Sequence, residues 1–170
     1  GQIEKTDVLP ALNLVYKLTE DMNLRSSISQ TLSRPDFREL SEFEFTDIGG
    51  HAVVGNPDLE RSLTQNYDLR WEWYPGAEEI LAVSFFYKNF NKPIEEVILP
   101  ATEPATSWQN AEGAFNYGLE LEARKKLSFL TVALSNFSIS SNLALLRSEV
   151  ELRQRGIETS KKRPLQGQSP

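Results

Sequence analysis

The chain has 170 residues, 39% of them apolar and 25% charged, proportions that suit an ordinary domain and decide little about class. A net charge of -6 and an isoelectric point near 4.9 exclude the basic stripe of a nucleic-acid-binding surface, and the lack of cysteine excludes a disulfide frame or a thiolate site. There is no run of about 18 apolar residues to span a bilayer as a helix, and the opening GQIEKTDVLPAL lacks the basic-then-apolar plan of a signal peptide.

Polarity alternates along the chain with a period of two, which places alternate side chains on opposite faces of a strand. In LNLVYKL, Leu12, Leu14, Tyr16 and Leu18 share one face, and Asn13 and Lys17 share the other with Val15. LRSSISQTL sets Leu24, Ile28 and Leu32 against Arg25, Ser27, Ser29 and Thr31, and the polar Thr19–Met22 between these runs predicts a tight hairpin. YDLRWEWYPG puts Tyr67, Leu69, Trp71 and Trp73 opposite Asp68, Arg70 and Glu72 before turning at Pro75-Gly76. ILAVSFFYKNF follows with Leu81, Val83, Phe85 and Tyr87 against Ala82, Ser84 and Lys88, a parity that Phe86 interrupts. A fifth strand opposes Phe115, Tyr117, Leu119 and Leu121 to Asn116, Glu120, Glu122 and Arg124. A sixth, from about Asn136 to Ser148, opposes Phe137, Ile139, Leu143 and Leu145 to Asn136, Ser138, Ser140 and Asn142. No stretch predicts a helix.

The fold expected is therefore all-β, an antiparallel up-and-down meander of about six strands. Short turns at Thr19–Met22 and Pro75–Glu79 and a middling one after Lys125 alternate with long polar loops at about 34–63 and 91–113. The tail RQRGIETSKKRPLQGQSP begins a third long loop whose return strand is not expected within the chain, and its basic Lys161–Arg163 reads as a solvated loop element.

Alternation alone fits a soluble sandwich, whose apolar face meets a second sheet, and that reading stays open. Two features favour a transmembrane barrel, whose strands need only ~9–11 residues each. Tyr16, Trp71 and Trp73 near the short turns and Phe115 and Tyr117 near the long loops flank an aliphatic band, the girdle pattern of outer-membrane strands. Arg25, Arg70, Lys88 and Arg124 lie in mid-strand, where a basic side chain facing lipid costs ~2–4 kcal/mol, so their face belongs to a wet lumen.

The segments LNLVYKLTEDMNLRSSISQTLSRPDFREL, GNPDLERSLTQNYDLRWEWYPG, LAVSFFYKNFNKPIEE and FNYGLELEARKKLSFL resemble consecutive pieces of the barrel of TonB-dependent outer-membrane receptors. The most specific are Ser33-Arg34-Pro35-Asp36-Phe37, Gly55-Asn56-Pro57-Asp58-Leu59 leading to Asn66-Tyr67-Asp68-Leu69, Phe86-Tyr87-Lys88 and Gly118-Leu119-Glu120; the resemblance covers nearly the whole chain. It implies a barrel of about 22 strands closed by a plug in the outer membrane of a Gram-negative bacterium. Such a receptor imports a scarce nutrient (ferric siderophore, haem, cobalamin or glycan), is powered through a TonB complex and is not an enzyme. The chain shows no plug sequence, no TonB box and no final aromatic-ended strand, so residues 1–170 are expected to be part of that barrel domain. Six strands with open edges would leave many backbone groups unpaired in lipid at several kcal/mol each. A passive porin-like channel is the other membrane reading.

Candidate sites are few. One histidine, no cysteine, no Gly-rich phosphate loop and no serine elbow make no catalytic constellation, and no cofactor is implied. Glu39, Glu42, Glu44, Asp47 and His51 gather in one loop but match no ligand spacing, so no metal site is assigned. Arg34 and Arg38 bracket Pro35 and Phe37 where the second strand leaves the barrel and are candidates for an anionic ligand, beside a plainer reading in which RPDF fixes the turn and packs its Phe. Asn56-Pro57-Asp58 reads first as loop geometry. Trp108, in the loop of Pro93, Pro100 and Pro104, is a candidate to stack on a sugar or an aromatic siderophore. Asp68, Arg70, Glu72, Glu120, Glu122 and Arg124 are expected to line the lumen, paired with one another or facing the plug.

Overall fold

The computed structural model describes residues 6–46, 49–50, 52–99, 105–152, 162–166 and 168. Asp47, His51, Pro100, Pro104, Lys161 and the end of the chain at 169–170, all used in the expectations above, lie outside them. The strands are β1 (Ala11–Lys17), β2 (Met22–Ser33), β3 (Glu44–Thr46), β4 (Ala52–Val54), β5 (Ser62–Trp73), β6 (Ile80–Asn91), β7 (Ile94–Leu99), β8 (Ala105–Asn110), β9 (Gly113–Lys126), β10 (Ser138–Glu151) and β11 (Lys162–Arg163). Six of them, β1, β2, β5, β6, β9 and β10, coincide with the six alternating runs. With β11 they form one seven-stranded sheet in the order β1-β2-β5-β6-β9-β10-β11, a meander apart from the excursions between β2 and β5 and between β6 and β9.

Those excursions depart from expectation. They are not irregular loops but hold β3, β4, β8 and β7, which form a second, four-stranded sheet in that order. β3 and β4 span three residues each, and a period of two cannot be distinguished over so short a run. The tail departs too. Lys162 and Arg163 return as β11 and pair with Glu151 and Val150 of β10, so they are ladder residues rather than a solvated loop.

By compactness the chain divides into two units. The first comprises Gly1–Gln30, Asn66–Lys88 and Tyr117–Arg147 and contains the short connections. Pairing of Tyr16 with Leu24, Leu14 with Ser26 and Leu12 with Ile28 stacks one face of β1 on the same face of β2, while Val15–Arg25 and Asn13–Ser27 form the other. The outer face of this unit is apolar and exposed: Leu12, Leu14, Tyr16, Ile28, Leu69, Phe85, Leu119, Leu143 and Leu145 all lie open. Phe86 keeps the parity of its strand and lies on the polar face, where its ring covers Gly118; a Cβ there would come within 2.7 Å of Phe86 Cζ and of the Leu145 carbonyl oxygen. An aromatic ring laid over a strand glycine removes the gap such a residue leaves.

The second unit comprises Thr31–Gln65, Asn89–Asn116 and Ser148–Pro170. Its small core is Ala111, Ala114, Val150 and Leu152, with Phe90 and Leu165 packed against it.

Candidate functional site

On the polar face of the first unit, side chains from four strands interlock. Glu72 of β5 accepts from Arg25 Nε of β2 at 2.8 Å and from Arg70 Nε at 2.9 Å. Arg70 donates from Nη2 to Glu122 of β9 at 2.7 Å and from Nη1 to Ser84 Oγ of β6 at 3.0 Å. Two guanidinium and two carboxylate groups thus neutralise one another. The Glu72 side chain is only 7% exposed, against 48% for Arg25, so Glu72 is the anchored member and Arg25 the one open to a further partner. The expectation that Arg70, Glu72 and Glu122 pair across one face holds, and Arg25, expected on that face, joins them. Asp68, Glu120 and Arg124 share the face but lie exposed outside the network.

At the turn after β5, the Glu79 carboxylate accepts from Lys125 Nζ at 2.7 Å and from the Lys126 backbone N–H at 3.2 Å, and those bonds hold its pKa below the ordinary carboxylate value.

The loop sheet of the second unit is organised by two asparagines. Asn56 donates from Nδ2 to the Trp108 carbonyl at 2.9 Å, and its own Oδ1 accepts from the Asp58 N–H at 3.0 Å. Asn110 accepts from the Glu60 N–H at 2.7 Å and donates to the carbonyls of Glu60 and Lys92 at 2.8 and 2.9 Å. Lys92 closes the same join with an ion pair to Glu60 at 2.7 Å. Gly55 must be glycine, because a Cβ would meet Ser41 N at 2.7 Å and the Glu39 carbonyl at 2.8 Å. The GNPDL motif is therefore loop geometry, as its composition suggests. Its reach to the strand bearing Trp108 is not legible from composition, because it spans about fifty residues of chain.

Of the three ligand candidates, Arg34 follows β2 directly and is exposed. Arg38 stacks its guanidinium 4.1 Å above the Phe45 ring. Trp108 sits half-buried on β8 opposite Glu96, in a strand rather than in the proline loop expected for it. Phe37 is 95% exposed, so the plainer reading in which RPDF packs its Phe is overturned. The turn itself is real: Asp36 takes the N–H groups of Glu39 and Leu40 on its carbonyl, and Glu39 Oε2 accepts from the Asp36 N–H at 2.9 Å. Among the described residues no cluster of metal-ligating side chains forms.

The sequence reading missed Glu95 of β7. It is buried, bonded at 3.0 Å by Arg163 Nη2, and burial outweighs that guanidinium and raises its pKa. Arg163 also donates to the Glu96 carbonyl at 3.1 Å. Gln166 bonds the Glu96 carboxylate, and Gln168 accepts from Ser148, so residues 162–166 and 168 are sewn to β7 and β10. The only sequence signal was the acidic pair Glu95-Glu96 inside an apolar run.

An antiparallel meander whose outer face is exposed and apolar and whose inner face is ion-paired is a segment of β-barrel wall. The family model described as TonB dependent receptor-like, beta-barrel matches residues 1–169, and the chain belongs to that family, one of receptors rather than enzymes. Similar solved structures include the siderophore receptor PirA from Pseudomonas aeruginosa, with 16% identity over 86% of this chain and 31% of that one at a TM-score of 0.60. The ferric enterobactin receptor PfeA from Pseudomonas aeruginosa, solved as a mutant with enterobactin, matches at 19% identity over 86% of this chain and 26% of that one, TM-score 0.61. The hemophore receptor HasR from Serratia marcescens matches at 12% identity over 84% and 29%, TM-score 0.51. At these identities the likeness is one of fold, and the chain spans about a quarter to a third of the receptors it matches.

Proposed function

We propose that the chain is part of the barrel of an outer-membrane active transporter that takes up a scarce iron-carrying nutrient, a ferric siderophore or haem, with energy delivered through TonB. The observation that carries this reading is the pairing of faces. Exposed leucines and aromatics suit lipid, and the Arg25–Glu72–Arg70–Glu122 network on the opposite face suits a wet lumen occupied by the plug of the full-length chain. The family supports transport over a passive channel, and the receptors of similar fold support the ligand class.

Ligand contact is assigned to the second unit. Arg34 and Arg38 supply positive charge for an anionic chelate, and Trp108 supplies a ring face. The test is uptake of radiolabelled ferric siderophore and of haem by cells carrying or lacking the full receptor gene, before and after a protonophore. The proposal expects uptake that needs the gene and stops when the proton gradient collapses; uptake that persists would mean a passive channel.

A further inference from the structure

The three short connections of the first unit differ in chemistry. Leu18–Asp21 carries Glu20 and Asp21, and Tyr74–Glu79 carries Glu78 and Glu79, as suits segments facing water. The third, Leu127–Phe137 between β9 and β10, reads LSFLTVALSNF and has no charged residue. Its apolar side chains are open: Val132 is 85% exposed, and Phe129, Leu130 and Phe137 are each more than half exposed.

Three observations bear on what covers them. Part of the backbone is satisfied from within. Leu127 and Phe137 close the segment with a 2.9 Å bond, and two single turns of 3-10 helix, Leu127–Phe129 and Val132–Leu134, take the N–H groups of Leu130, Ser135, Leu134 and Phe137. Each such bond removes a backbone group that would otherwise go unpaired in lipid. The segment also continues the apolar outer face. Lys125 has the parity of Leu119 and Leu121, and its Nζ lies 6.0 Å from the Phe129 ring; Phe137 has the parity of Ile139, Leu143 and Leu145. Finally, the two lysines at its border are neutralised by the neighbouring turn, Lys125 by Glu79 at 2.7 Å and Lys126 by Glu78 at 3.2 Å.

We propose that the β9–β10 connection is an interfacial anchor, with Phe129, Leu130, Val132 and Phe137 seated in the lipid of the periplasm-side leaflet and the Lys–Glu pairs at the headgroup level. Aromatic and aliphatic side chains beside long basic ones are the composition of segments that lie in a membrane interface. The proposal rests on the transmembrane reading, and the experiment separates the two. The full receptor, cysteine-free elsewhere, carries an environment-sensitive fluorophore at Val132→Cys, at Glu20→Cys in the acidic turn, or at Leu143→Cys on the outer face of β10, in nanodiscs of phosphatidylethanolamine and phosphatidylglycerol. Quenching is read from a nitroxide high on the lipid acyl chain and from aqueous iodide.

The expected result is that the Val132 and Leu143 labels lose most of their emission to the lipid nitroxide and little to iodide, while the Glu20 label does the reverse. A Val132 label that follows Glu20 overturns the anchor and leaves a face open to a periplasmic protein. A Val132 label shielded from both quenchers overturns it in favour of packing on the receptor itself. A Leu143 label untouched by the lipid nitroxide removes the transmembrane reading as well. Leu130→Cys repeats the measurement at a second exposed position if Val132→Cys does not fold.

Discussion

Gly118→Ala is the sharpest single test of how the strand faces pack. No left-handed backbone reserves this site for glycine, so the substitution asks only whether there is room. There is none. The added methyl carbon would stand 2.7 Å from the Leu145 carbonyl oxygen and 2.7 and 2.8 Å from Phe86 Cζ and Cε1. The ring can tilt, but the carbonyl belongs to the neighbouring strand β10 and moves only with it. Overpacking of this kind costs ~1–3 kcal/mol, and the lower entropy of an unfolded alanine returns ~0.4–1, which leaves a net loss of roughly 1–2 kcal/mol. Urea unfolding of the full receptor refolded into lipid vesicles, followed by tryptophan fluorescence, measures it. On a Phe86→Ala background the ring contacts vanish and the carbonyl contact stays, so the penalty shrinks without disappearing. Wild-type stability in Gly118→Ala, to within about 0.5 kcal/mol, would refute the packing of Phe86 over this glycine.

Four further outcomes follow from the same geometry. Glu72→Gln keeps the shape and removes the charge shared by Arg25 and Arg70; it should cost ~1–3 kcal/mol in the same unfolding assay, nearer the lower figure because Arg25 can rehydrate. Asn110→Ala strands the Glu60 N–H and two carbonyls, so hydrogen exchange at Glu60 should quicken together with limited proteolysis of residues 34–61 and 92–112; acceleration in one segment alone would contradict the clamp. Glu79 has a depressed folded pKa, so its contribution is present above the unfolded carboxylate value and is lost as pH falls through the lower folded one; Glu79→Gln should flatten that acid limb of the unfolding curve. Glu95 has the opposite sign: its pKa is raised, so its contribution is full below the unfolded value and is lost as pH rises through the folded one, and Glu95→Gln should abolish a rise in β7 protection on mild acidification.

How much of this was legible depended on run length. β2, β5, β6, β9 and β10 each carry twelve or fourteen residues, long enough for alternation to fix both existence and facing, and Arg70, Glu72 and Glu122 were placed on one face by parity alone. Parity says nothing about which opposite charges meet. The Arg70–Glu122 pair joins residues separated by 52 positions, and only the strand order brings them together. Phe86 looked like an error in the pattern because its partner is the missing side chain of Gly118, and a gap on a neighbouring strand leaves no mark in the strand that fills it. The loop sheet escaped notice for another reason. Its strands are short and β4 meets β8 in parallel through Val53 and Thr106, a pairing with no hairpin signature. Trp108 was therefore read as a loop residue, and Glu95 was not read at all.

The distribution of burial carries the membrane argument further than the strand count does. Among the described residues the buried apolar ones are Val53, Leu59, Ala82, Val97, Ala111, Ala114, Val150 and Leu152, and of these only Ala82 lies in the first unit. Long strands with one buried apolar side chain between them among the described residues lack a conventional core, since burying a Leu or Phe is worth ~1.5–3 kcal/mol and here most leucines are exposed. A soluble sandwich would need a second sheet over Leu12, Leu14, Ile139, Leu143 and Leu145, and all five are exposed. The first unit takes its lateral cohesion from backbone ladders and its inner order from charge pairs such as Arg25–Glu72, and in the proposed transmembrane setting its outer cover is a solvent as apolar as leucine.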